Sequence, residues 1–151
     1  TLMHQVFISI GSNIDPLKNI DKVKILLNDL FECTFSGLYE TVAEGFEGDD
    51  FVNCVVGFKT DITPTKLNEN LKDIEKNMGR TDRQKGMSNR IIDLDLILYG
   101  DLVLNDKNLS LPSDDIEKYS FILEPLVEIA GNIKHPVSKQ SFKSLLMELK
   151  S

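Results

Sequence analysis

The chain contains no tryptophan and only two cysteines and two histidines, and each shortage removes a class of chemistry. Cys33 and Cys54 are too few to form a disulfide framework and have no metal-ligand spacing. Both sit among apolar residues, so both are expected to be reduced and in the core. His4 and His135 lie far apart in sequence, which leaves zinc little support. No apolar run reaches membrane-span length and no N-terminal signal pattern is read, so a cytoplasmic protein with no membrane contact is expected. Positive charge is also scarce. A net charge of −7 argues against a general nucleic-acid surface.

What is present fits one globular domain, 1–151, long enough to bury a real core. The few basic residues are unevenly spread, with Lys76, Arg80, Arg83, Lys85 and Arg90 close together. Such a loop on an acidic protein can focus an anionic ligand without attracting polyanions everywhere. A solvated charged loop is the other reading.

Immediately after this cluster comes Arg90-Ile-Ile-Asp93-Leu-Asp95-Leu-Ile-Leu-Tyr-Gly100. Alternate strand residues share a face, so Asp93 and Asp95 should project together, with Ile92, Leu94, Leu96 and Leu98 on the opposite side. Adjacent carboxylates repel, and a divalent cation is the most direct compensation. Hard oxygen ligands with arginine nearby suit Mg²⁺ and a phosphate-bearing substrate. Residue spacing alone leaves a solvated edge strand as the alternative, although aspartate is a poor strand former. Strict alternation would turn Arg90 away from the two aspartates.

Elsewhere the pattern predicts a strand over Gln5–Ile10, ended by the turn residues Gly11-Ser12-Asn13. Asp15-Pro16 reads as an N-cap with proline at the first helical position, and Leu17, Ile20, Val23, Leu26, Leu27 and Leu30 as the helix stripe. Strands are expected over Thr34–Tyr39 and Phe51–Phe58, separated by an acidic loop, Glu44–Asp50, expected to be mobile. Thr63-Pro64 begins a second helix with Leu67, Leu71, Ile74 and Met78 inward, and Gly79 ends it. Short β-like pieces follow around Leu102–Leu104 and Leu109–Leu111. The segment Ser113–Lys118 can form a helix, and Lys139–Leu149 reads as an amphipathic one. The order strand–helix–strand–strand–helix–strand is the split βαβ arrangement, an α/β (α+β), ferredoxin-like sandwich whose mainly antiparallel sheet carries helices on one face.

Read in order, Gly11-Ser12-Asn13, Phe51-Val52-Asn53, Ile74-Glu75, Gly79-Arg80, Arg90 through Asp95, Leu111-Pro112, Phe121-Ile-Leu-Glu-Pro125 and His135-Pro136 resemble the 6-hydroxymethyl-7,8-dihydropterin pyrophosphokinase family. The resemblance spans nearly the whole chain. It implies transfer of pyrophosphate from ATP to a reduced pterin, a step of folate biosynthesis. It makes Asp93 and Asp95 the metal ligands, with two Mg²⁺ ions expected. Arg80 and Arg90 become the catalytic arginines, which also engage the ATP phosphates, as guanidinium suits. Glu75 and Ser110 are implied near the nucleotide, while Arg83 and Lys85 are basic residues placed to help hold the phosphates. Thr41, Phe51, Asn53 and Phe121 are implied around the pterin, with Asn53 reading its edge and Phe121 stacking on its ring. ATP and the pterin are the expected partners, and a monomer is expected.

The chain departs from the family pattern at Asp82, Met87, Ser113 and Tyr119, where the family has arginine, tryptophan, histidine and arginine. These changes keep two alternatives open: a divergent paralog that binds nucleotide or pterin with weak or no catalysis, and another Mg-dependent phosphotransferase.

Overall fold

Strand β1 (His4–Ser12) is central because it is apolar on both faces, with Val6, Ile8 and Ile10 turned one way and Phe7 the other. The computed structural model describes residues 2–41, 50–79 and 91–151. Helix α1 (Pro16–Leu30) follows, then the short strands β2 (Thr34–Phe35) and β3 (Tyr39–Thr41), strand β4 (Phe51–Thr60), helix α2 (Pro64–Asn77) and strand β5 (Asp93–Tyr99). A small hairpin, β6 (Leu104–Asn105) and β7 (Ser110–Leu111), leads to α3 (Asp115–Lys118), α4 (Ser120–Ala130) and α5 (Phe142–Lys150). The main sheet runs β2-β4-β1-β5, with β3 also on β4, and its strand pairs are antiparallel. Counting β2 and β3 as one interrupted strand, this is the ferredoxin-like order, two interlocked split βαβ units.

Two apolar clusters sit on opposite faces. Ile20, Val23 and Leu27 of α1 and Leu67 and Leu71 of α2 cover Val6, Ile8, Ile10, Val56 and Leu94. The C-terminal helices cover the other face, where Leu123, Leu126, Phe142 and Leu145 pack on Phe7, Val55 and Ile97. Helices on one face only, the arrangement expected from sequence, is therefore half of the architecture. The reason is that β1 and β4 are apolar on both sides and need two covers.

Local departures from the expected elements have identifiable causes. The first strand continues through Gly11 and Ser12, because these residues pair with Asn53 and Val52 of β4. Asp15 occupies the N-cap position of α1 in the left-handed region (φ 42), and its side chain makes no capping bond. Asn19 instead donates through Nδ2 to the Ile14 carbonyl at 2.6 Å. Of the expected α1 stripe, Leu17, Leu26 and Leu30 are exposed. The expected strand over Thr34–Tyr39 is broken at Ser36, whose hydroxyl accepts from Val55 N at 2.9 Å while its own N–H donates to Val55 O. Cys54 is buried and Cys33 half-buried; burial pushes both thiols up to about 11.

The alternation expected for β5 also fails beyond Leu96. Ile8 pairs with Leu96 and Phe7 with Leu98, so Ile97 is an extra, bulged residue. Ile97 and Leu98 consequently both join the cluster under α4, and Tyr99 returns to the other face. No helix among the described residues is long and apolar enough to cross a membrane.

Candidate active site

Sheet register brings the chemistry-bearing residues together. Tyr39 pairs with Asn53, Asn53 with Gly11, and Gly11 with Asp93, a single row across four strands. One step along in one direction Thr41 pairs with Phe51; one residue pair along in the other, Val55, Ser9 and Asp95 align. Alternation puts Thr41, Phe51, Asn53, Asp93 and Asp95 on one face, the face that α4 and α5 partly cover. Phe121 belongs to that helical layer, packed against its apolar cluster and stacked on Tyr119 at 4.9 Å between ring centroids.

Between Asn53 and Asp93 lies a glycine. Two strand spacings put those backbones about 10 Å apart, and Gly11 leaves the floor between them without a side chain. A Cβ at this position would lie 3.0 Å from Asn53 Oδ1. Asn53 is buried, and among the described residues its Nδ2 has no hydrogen-bond partner. An unpartnered buried amide is costly, so its retention here points to a ligand acceptor. Ser12, also buried, ties this end of β1 to the chain entering β5 by donating to the Ile91 carbonyl at 2.5 Å.

The two aspartates stand where β5 begins, and β5 is an edge strand. Burial, then repulsion from Asp93, push the Asp95 carboxyl up to about 6 against the pull of Lys72. A dication between the two carboxylates would remove that repulsion, and two oxygen ligands with a partly open side suit Mg²⁺, which keeps water and phosphate in its remaining positions. No group of three or more metal-binding side chains occurs among the described residues.

Helix α2 closes the outer side of β5 at Leu94, the residue between the aspartates. Leu94 N donates to Glu75 Oε2 at 2.6 Å, and Lys72 Nζ donates to Leu94 O at 2.8 Å. Lys72 also reaches Glu75 Oε2 and Asp95 Oδ1, each at 3.2 Å. Glu75, expected near the nucleotide, is thus buried with one carboxylate oxygen committed to strand and lysine. Ser110 is exposed on the separate β6–β7 hairpin. Arg80, Arg83, Lys85 and Arg90, together with Asp82, Met87 and the loops 44–49 and 82–89, lie outside the described residues. β5 begins at Asp93, and the expected orientation of Arg90 relative to the aspartates lies outside the described residues.

Sequence reading missed Lys72 and the structural part played by Gly11. Lys72 looked like one more polar helix residue; the available signal was its place three residues before Glu75, an i,i+3 pair on the helix face that meets β5.

The family described as 7,8-dihydro-6-hydroxymethylpterin-pyrophosphokinase (HPPK) matches residues 7–131. A 2-amino-4-hydroxy-6-hydroxymethyldihydropteridine pyrophosphokinase of Aquifex aeolicus is 36% identical over 149 residues, covering 97% of this chain and 92% of the relative. A protein of the same description from Haemophilus influenzae is 31% identical over 142 residues, covering 91% and 88%. Among solved structures, wild-type Plasmodium falciparum HPPK-DHPS superposes with a TM-score of 0.74 at 16% identity, a likeness of fold. It covers 96% of this chain, which spans 43% of that longer one.

Proposed function

This chain belongs to the 7,8-dihydro-6-hydroxymethylpterin-pyrophosphokinase family, and we propose that it transfers pyrophosphate from ATP to the hydroxymethyl group of 6-hydroxymethyl-7,8-dihydropterin in folate biosynthesis. The products are AMP and the pterin diphosphate, so the bond broken is the one between the α- and β-phosphates. The observation that carries this reading is the row Asn53–Gly11–Asp93 with Asp95 beside it. In that row a buried amide and a pair of carboxylates share one face, separated by a floor with no side chain, which supports a reader of the pterin edge beside a metal-holding pair.

Asn53 binds the pterin. Its buried Nδ2, without a hydrogen-bond partner among the described residues, donates while Oδ1 can accept, which matches the mixed donors and acceptors on the pyrimidine edge. Thr41 and Phe51 flank it from the next pair along, and Phe121 supplies a ring from α4. Asp93 and Asp95 hold Mg²⁺, two ions by the family resemblance. Bound Mg²⁺ supplies charge neutralisation and orientation for the polyphosphate oxygens. The chain's own contribution is positional: Leu94, clipped by Glu75 and Lys72, fixes both aspartates at the strand end. Arg80 and Arg90 act on the phosphates and Arg83 and Lys85 assist, a role that rests on the resemblance and on guanidinium chemistry. Glu75 and Ser110 belong to the nucleotide side.

Action as a monomer on small molecules belongs to the same proposal. The two unpaired cysteines support a reducing, cytoplasmic setting. The test is incubation with ATP, Mg²⁺ and the reduced pterin, with mass spectrometry of products. AMP and pterin diphosphate should appear together and only when the pterin is present. AMP without pterin would point to another phosphotransferase, and no AMP at all to a binding paralog.

A further inference from the structure

We propose that Lys72 is a built-in counter-ion of the Asp93/Asp95 pair, which competes with a divalent cation for Asp95 and keeps the free protein's metal affinity low. The inference rests on the reading of these aspartates as metal-holding. Its basis is the position of Nζ, 3.2 Å from Asp95 Oδ1. Two further anchors, Leu94 O at 2.8 Å and Glu75 Oε2 at 3.2 Å, belong to groups outside the aspartate pair. The ammonium group therefore remains held even when Asp95 turns to another cation. Lysine is ordinarily charged at neutral pH, and the carboxylates of Asp95 and Glu75, each at 3.2 Å, favour that state.

The electrostatic consequence has a definite sign. Among the described residues, Glu75, Asp93 and Asp95 bring three carboxylates to this cluster and Lys72 brings one opposing charge. A dication approaching Asp95 meets that positive charge a few ångströms away. Removing the charge should strengthen cation binding in the absence of nucleotide by about tenfold, given the size of unit-charge interactions near a protein surface. With Lys72 in place, the cation arrives best with its charge already partly neutralised, as a complex with a polyphosphate. Lys72 is thus a positioning residue: it presets Asp95 and biases the site toward metal already bound to nucleotide.

The experiment uses the whole chain and Mn²⁺ as the probe, with free Mn²⁺ followed by its paramagnetic resonance signal. Variants Lys72→Gln and Lys72→Met remove the charge, Lys72→Arg retains it, and Asp95→Asn reports binding at the pair. The expected result is Mn²⁺ binding about tenfold tighter in the two uncharged variants, with the arginine variant close to wild type. General structural damage would weaken binding, so a gain separates this role from a merely structural one. Wild type and uncharged variants binding equally, or the uncharged variants binding more weakly, overturns the counter-ion role and leaves the metal assignment standing. If Asp95→Asn changes Mn²⁺ binding in no background, the metal assignment itself falls, and the counter-ion proposal with it.

Discussion

At one edge of the sheet, Glu75 of α2 accepts from Leu94 N of β5; at the other, Glu128 of α4 accepts from Gly37 N at 3.0 Å and from the Tyr39 hydroxyl at 2.6 Å. Both edges expose backbone groups that would otherwise template pairing, and both are closed by a helical glutamate. The surroundings differ. Glu75 is 4% exposed and is accompanied by Lys72, whereas Glu128 is exposed to water. A buried carboxylate needs a partner charge, and at β5 that same charge also serves Asp95. One device therefore does two jobs: at the β3 edge it ties a short strand to a helix, and at the β5 edge it also sets the electrostatics of two aspartates.

The sharpest test of that difference is Asp95→Ala. Loss of a metal-anchoring carboxylate should lower turnover at saturating Mg²⁺ by at least about a hundredfold, because metal catalysis is worth several kcal/mol. Folding should survive, since Asp95 lies on an edge strand with part of its side chain open to water. Far-ultraviolet dichroism checks the fold and product formation checks the rate. Retention of more than about a tenth of the wild-type rate would remove the asymmetry between the edges.

Next in size is Glu75→Ala. It leaves Leu94 N without its acceptor in a buried place and deprives Lys72 of one of its anchors. The expected loss is about 3 kcal/mol, measured by urea denaturation. Glu75→Gln keeps an acceptor for Leu94 N and should recover part of it. An equal loss in both variants would show that charge, rather than the backbone bond, holds this edge.

Glu128→Ala should cost only about 1 kcal/mol, because water can replace an exposed carboxylate at Gly37 N and the Tyr39 hydroxyl. Mn²⁺ affinity should stay at the wild-type value. A changed affinity would mean that the β3 edge communicates with the aspartates, and the comparison would need redrawing.

How much of this was legible in the sequence follows the range of the interactions involved. Local periodicity located α1, α2, β4 and β5, since the 3.6 and 2.0 repeats are written into consecutive residues. The aspartate pair was legible because aspartate sits oddly on an apolar strand, whereas Asn53 was singled out through the family resemblance alone. The bulge at Ile97 was not, because it depends on how Phe7 and Ile8 of β1 pair with β5. Exposure of Leu17, Leu26 and Leu30 was hidden for a similar reason: a helix stripe fixes a face, but the width of the partner surface decides how much of it is covered. Lys72 became meaningful only when α2 was laid along the edge of β5 and its ammonium met Leu94 O.

The smallest expected effect lies at the β3 edge and appears only in alkali. The Tyr39 phenol is pushed from its usual 10 up to about 12, first by the hydrogen bond it donates to Glu128, then by burial and by the negative charges of Glu128 and Glu124. The folded value lies above the unfolded one, so the unfolded chain gives up this proton first as pH rises. The contribution of Tyr39 to stability is therefore complete below pH 10 and is lost as pH climbs through about 12. Tyrosinate absorbance during a pH titration should show a late-ionising phenol that Tyr39→Phe removes and Glu128→Gln shifts downward. The phenol on β5, Tyr99, donates to the Ile62 carbonyl rather than to a carboxylate, so Lys72→Met should leave the Tyr39 step unchanged. Tyr99, whose phenol is also raised, chiefly by burial, adds a late step of its own that should remain in Tyr39→Phe, so the result that counts against Tyr39 is an unchanged late amplitude in that variant. The Glu128–Tyr39 bond would then be too weak in solution to count as the counterpart of the Glu75–Leu94 bond.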